Sequence, residues 1–120
     1  MALTEGAHPG EFILSEANGN RSRENRTLVS GQNLGAGAVL GKISSGGKFT
    51  GYDNTAGDGS QAAAGILYAS VDATDGDMDC VVIIRDAEVI GDALDFDAGQ
   101  SGADQTAATA DLLALGIIVR

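Results

Sequence analysis

The chain has 120 residues and a net charge of −10, with 18 glycines, one proline, one cysteine, one histidine and only 4% aromatics. This length fits one domain, and its core has to be built mainly from Ile, Leu, Val and Ala. A lone cysteine excludes an internal disulfide, and a lone histidine, His8, excludes a His-based triad or a multi-His metal site within one chain.

The charge is unevenly placed. Residues 1–26 nearly balance, with Glu5, Glu11, Glu16 and Glu24 set against Arg21, Arg23 and Arg26. Residues 27–120 carry almost all of the negative excess, relieved only by Lys42, Lys48, Arg85 and Arg120. Such a body repels phosphate backbones and anionic bilayers, so neither nucleic acid nor membrane is expected as a partner. The opening "MALTEGAHPG" has no basic start and no long apolar stretch, which argues against a signal peptide. No window approaches the ~18 apolar residues of a membrane-spanning helix. Folding in a reducing cytoplasm is the expectation.

In chain order, residues 1–26 read as a polar, turn-rich N-terminal arm, and residues 27–120 as a β-rich domain. Within the arm, Phe12, Ile13 and Leu14 form a short apolar island. It is either a first strand docked on its own domain or a segment held for a partner. The elements that follow are mostly β. "TLVS" is brief. "AGAVLGKIS" and "KFTGY" flank a hairpin turn at Gly46-Gly47. "AAAGILYASV" and "MDCVVIIRDAEVI" flank Asp75-Gly76, a type I′ signal. The run Cys80–Ile84 is apolar on both sides of the pleat, so it is covered on both faces, by its own core or by a neighbouring subunit. Cys80 itself reads as a buried, inert thiol. Gly91-Asp92 marks a turn and "ALDF" a short strand. "SGADQTAATADLLALG" predicts a short helix capped by Ser101 and closed by Gly116, and "GIIVR" a terminal strand.

The chain offers little chemistry. "GAGAVLG" places Leu40 where a dinucleotide fingerprint needs glycine, and a hairpin follows instead of a helix. Asp72, Asp75, Asp77 and Asp79 lack the distal glutamate of a calcium loop and read as a solvated turn. Asp86 and Glu88 alternate as solvent-facing strand residues do. No catalytic, cofactor-binding or metal-binding residue is assigned, and the chain is not expected to be an enzyme.

The order of pieces carries a resemblance. Gly31 to Gly41 reads "G…L.AG.VLG", followed by Gly47-Lys48-Phe49, a small-residue loop over 53–61, "A.GIL" at Ala64 to Leu67, and Asp72 to Thr74. Over roughly residues 16–97 this resembles the phage head-decoration family typified by lambda phage protein D. The resemblance implies a capsid protein of the outer virion surface, with a small mainly β domain of β-clip type, one or two short helices and a flexible arm. It implies homotrimers at three-fold positions of the expanded head, stabilising the shell against DNA pressure, with the major capsid protein as partner. Phe12, Ile13, Leu14, Arg21, Arg23 and Arg26 would then be the capsid-binding part of the arm, although the arginines could equally balance Glu24 and stay solvated. Ala62, Ala63, Ala64 and Gly65 form a thin surface where another backbone could approach, either a trimer interface or plain sheet packing. Two alternatives stand beside this: a trimeric β-clip nucleotide hydrolase, which would need a clustered positive patch and a general-base aspartate, and a virion surface adhesion module.

Overall fold

The structure is a computed structural model and describes residues 8–19, 21–96 and 101–120. The chain is mainly β. The strands among the described residues are β1 (Ile13–Glu16), β2 (Arg23–Leu28), β3 (Gln32–Leu34), β4 (Val39–Lys42), β5 (Phe49–Gly51), β6 (Ala63–Leu67), β7 (Val71–Ala73), β8 (Met78–Ile83), β9 (Ala87–Val89) and β10 (Ile117–Val119). Helix α1 (Gly102–Ala114) lies between β9 and β10.

Strands β2, β5, β4, β6 and β8 close into a barrel. Its longest seam is the antiparallel pairing of β2 with β8, from Arg23 opposite Ile83 to Leu28 opposite Met78. A single parallel step, Leu28 beside Phe49, joins β2 to β5. A second sheet places β9 between antiparallel β1 and parallel β10. Strands β3 and β7 pair separately.

Two cores result. Leu28, Leu40, Phe49, Leu67, Cys80 and Val82 fill the barrel. Phe12, Tyr52, Ile66, Ile83, Val89, Leu112 and Ile117 pack between the barrel wall, the three-stranded sheet and α1. The alternation of β8 explains its continuous apolar run: Cys80 and Val82 face the barrel, while Ile83 faces the second core. The molecule's own two cores therefore cover both faces.

The Gly46-Gly47 hairpin forms as expected. Strand β4 pairs antiparallel with β5, and both glycines take positive φ, 93° and 74°. Helix α1 starts at a reciprocal cap. The Ser101 hydroxyl accepts from the Asp104 N–H at 3.2 Å, and the Asp104 carboxylate accepts from the Ser101 N–H at 2.9 Å. The helix is tied to the barrel by Asp111, whose carboxylate accepts from the Ala63 N–H at 3.0 Å. That N–H sits at the irregularity where β6 slips against β4 between Leu40 and Gly41.

Three local expectations are corrected. Asp75-Gly76 does not join a hairpin: β8 already has β2 and β6 on its two edges, so β7 pairs with β3 instead. Neither residue has positive φ, and the turn closes from the Gly76 N–H to the Ala73 carbonyl at 3.3 Å. "ALDF" is not a strand; a 3-10 turn spans Gly91–Ala93, and Asp95 makes only an isolated bridge to Ala38. The strand begun at "TLVS" starts earlier, at Arg23, because its polar residues need only the β8 ladder on one edge. Residue 26 itself lies in β2, a barrel strand, and β1 is a strand of the second sheet. The link between β1 and β2 is pinned by buried Ser22, which accepts from the Ala17 N–H at 2.9 Å and donates to the Asp86 carbonyl at 2.8 Å. Residues 1–7 of the expected arm lie outside the described residues.

Candidate interaction surfaces

The apolar island is split by its geometry. Phe12 is 1% exposed in the second core, and its carbonyl accepts from the Ile90 N–H at 2.8 Å. Ile13 is half-buried against the same core, while Leu14 is 53% exposed. Of the three, Leu14 is the most exposed.

The three arginines of the same region already have acidic partners within the chain. Arg21 lies 3.4 Å from Asp86. Arg23 makes a two-pronged bond to Glu16, at 3.0 and 2.5 Å, and its guanidinium sits 4.1 Å over the Tyr68 ring. The bond to Glu16 holds the Arg23 guanidinium above its ordinary pKa. Arg26 reaches Glu24 at 2.9 Å. Arg85 bonds the other oxygen of Glu24 and donates to the Arg21 carbonyl at 2.6 Å.

The small-residue stretch is also split. Ala63 and Gly65 are buried inside the fold, Ala62 is exposed, and Ala64 is half-exposed. A Cβ on Gly65 would sit 2.5 Å from the Val82 side chain and 2.9 Å from the Ile83 carbonyl. Glycine at this position serves the close approach of β6 to β8 within one molecule.

A groove of about 470 Å³ opens at one end of the barrel, lined by Arg26, Lys42, Phe49, Ala64, Ile84, Arg85, Asp86 and Leu115. Strand alternation explains its make-up. Arg26 lies two residues before the core residue Leu28, Lys42 two after Leu40, and Ile84 two after Val82. Three cations far apart in the sequence therefore meet at one barrel end, a cluster the sequence did not reveal. Arg26 and Arg85 share Glu24, whereas Lys42 is the one cation among the described residues with no ion-pair partner. The Nε of Arg26 is buried and has no acceptor.

A wider cleft of about 700 Å³ has Gln32, Asn33, Asp53, Asp58 and Asp95 on its walls. Two of its carboxylates serve local turns: Asp53 accepts from Thr55, and the Asp58 carboxylate accepts from the Ser60 hydroxyl at 2.6 Å and from the Ser60 N–H at 3.0 Å, which holds Asp58 below the usual range. Asp72 is lowered likewise by Thr74, Asp77 by Lys48 and the Ser30 N–H, and Glu88 by Arg120 and Ser15. All four shifts run downward, opposite to the direction that readies a carboxyl for general acid-base work near neutral pH. Among the described residues, no three His, Cys, Asp or Glu side chains are grouped to hold a metal. Burial pushes the Cys80 thiol up, with Asp79 adding to the effect.

These features define a small barrel protein with an exposed leucine on a sheet strand and a groove lined by three cations on an acidic chain. The family model for bacteriophage lambda head decoration protein D matches residues 2–117, and the chain belongs to that family. It is therefore a phage head decoration protein of the virion capsid. No curated protein matches the chain.

Proposed function

We propose that this protein stabilises the phage head without catalysis: three copies bind at each three-fold position of the expanded shell and brace it against the pressure of packaged DNA. Family membership over residues 2–117 is the observation that carries this reading. The major capsid protein is the partner, and the chain folds in the host cytoplasm before joining the outer surface of the head. The three grouped cations supply the positive patch that a nucleotide hydrolase would need, but family membership over residues 2–117 favours the decoration reading over that alternative.

The capsid-facing element in this reading is the N-terminal segment, continued by exposed Leu14 and, at the surface, by Arg21. Burying a leucine contributes at most roughly 1.5–3 kcal/mol, and ordering each residue costs about 1–2 kcal/mol. Phe12 and Ile13 already pack on the body, so one such tether is weak. Three tethers on one rigid trimer gain effective concentrations on the order of millimolar for the later contacts. Binding would then depend on the shell presenting three sites at the right spacing.

The test is co-sedimentation with matched expanded and unexpanded heads. The full chain should pellet with expanded heads alone, and a chain lacking residues 1–7 should lose most of that binding while keeping its melting temperature. Equal binding to both head forms, or full binding by the truncated chain, would refute the reading.

A further inference from the structure

The cationic groove has more hydrogen-bonding and charge capacity than its own chain satisfies. Lys42 has no carboxylate partner, the buried Arg26 Nε has no acceptor, and Ile84, Ala64 and Leu115 form an apolar surface beside them. Leu115, at the C-terminal end of α1, is 38% exposed. In the groove Arg26, Lys42 and Arg85 stand against Asp86 and the Glu24 that two of them share, so the lining keeps a positive excess, at Lys42, on a chain of net charge −10.

We infer that this groove is where one copy of the chain receives the next, seating a neighbour's carboxylate against Lys42 and Arg26 and an apolar side chain on Ile84, Ala64 and Leu115. The inference rests on the trimeric reading above and adds the face through which the copies meet. Charge complementarity selects the occupant. Copies carrying ten net negative charges repel one another over most of their surface, and the barrel end is where a neighbour's acidic surface is attracted instead. The groove and the acidic surface it receives are different parts of the molecule. The contact is therefore heterologous, and it closes into a ring only at one rotation per copy. Removal from water strengthens the Lys42 pair, and the apolar side chains around it supply that exclusion.

Sedimentation velocity of the full chain over a range of concentration and salt tests this. The wild type should self-associate, less so as salt rises. Lys42→Glu should weaken association by at least ~30-fold. Leu115→Glu, at an exposed position, should do the same, and Ala64→Trp should do so without changing charge. Lys48→Glu, at a lysine paired with Asp77 outside the groove, should associate as the wild type does. Thermal melts establish that each variant is folded, and should Ala64→Trp fail to fold, the lysine and leucine variants decide. Wild-type association in both Lys42→Glu and Leu115→Glu overturns the inference. So does a wild type that stays monomeric throughout, or variants that associate normally yet no longer pellet with expanded heads, since the groove would then face the shell. Groove-dependent association with a head stoichiometry other than three supports the groove contact and refutes the trimeric reading.

Discussion

At the scale of the residue, close packing decides more than charge does. Gly65 is the clearest case, because even a methyl group there would overlap the Val82 side chain and crowd the Ile83 carbonyl. Gly65→Ala should destabilise the fold by about 1–3 kcal/mol, the usual cost of overpacking, read as a lower denaturant midpoint at unchanged slope. A midpoint equal to the wild type would show that β6 and β8 separate more easily than the geometry implies. Cys80 shows how a sequence reading can be complete at one position. Its apolar neighbours predict burial, and the structure finds the thiol buried and its pKa raised. The arginines show the opposite. Nothing in the linear order states that Arg85 reaches Glu24, 61 positions away, or that Arg23 lies over Tyr68.

At the scale of the element, β1 is the instructive case. Its four residues alternate poorly, and a polar stretch surrounds them, so the sequence leaves open whether they dock on the chain's own domain. The anchor is Phe12, just before the strand, whose ring completes the second core. Phe12→Ala should cost about 3–5 kcal/mol, measured by chemical denaturation, whereas Leu14→Ala, at an exposed position, should fall within about 0.5 kcal/mol of the wild type. Equal effects at the two positions would mean that β1 is not held by its core contact. Removal of residues 1–15 would strip Phe12 from the core, so lost head binding by that truncation would not isolate a capsid contact. Helix α1 was the most legible element, because its cap at Ser101 and its glycine stop at Gly116, with φ of +84°, are local signals.

At the scale of the whole molecule, surface carboxylates link distant parts of the chain and set its acid sensitivity. Asp77 joins β8 to Lys48 and the Ser30 N–H, and Glu88 joins β9 to Ser15 and Arg120. Both have folded-state pKa values below the ordinary 3.8 and 4.5. A depressed carboxyl contributes stability that is fully present above its unfolded pKa and is lost as pH falls through the folded one. The melting temperature should therefore change little on this account between neutrality and about pH 5, then decline below about pH 4. Asp77→Asn together with Glu88→Gln should flatten the acid limb of that profile. An unaltered acid limb in the double variant would assign the decline to other carboxyls.

By itself, the sequence determined what depends on neighbours along the chain. The mainly β character, the Gly46-Gly47 hairpin, the capped helix, the buried thiol and the ordered pieces that mark the family are all written in local spacing. Tertiary structure decided the rest. It placed β7 beside β3, because both edges of β8 were already occupied. It drew Phe12, β1 and β2 into the body, because the second core needed Phe12 and the barrel needed β2 to close. It also gathered Arg26, Lys42 and Arg85 at one barrel end. Strand pairing is non-local, so which edge finds which partner, and which side chains then share a surface, depends on the closed barrel as a whole.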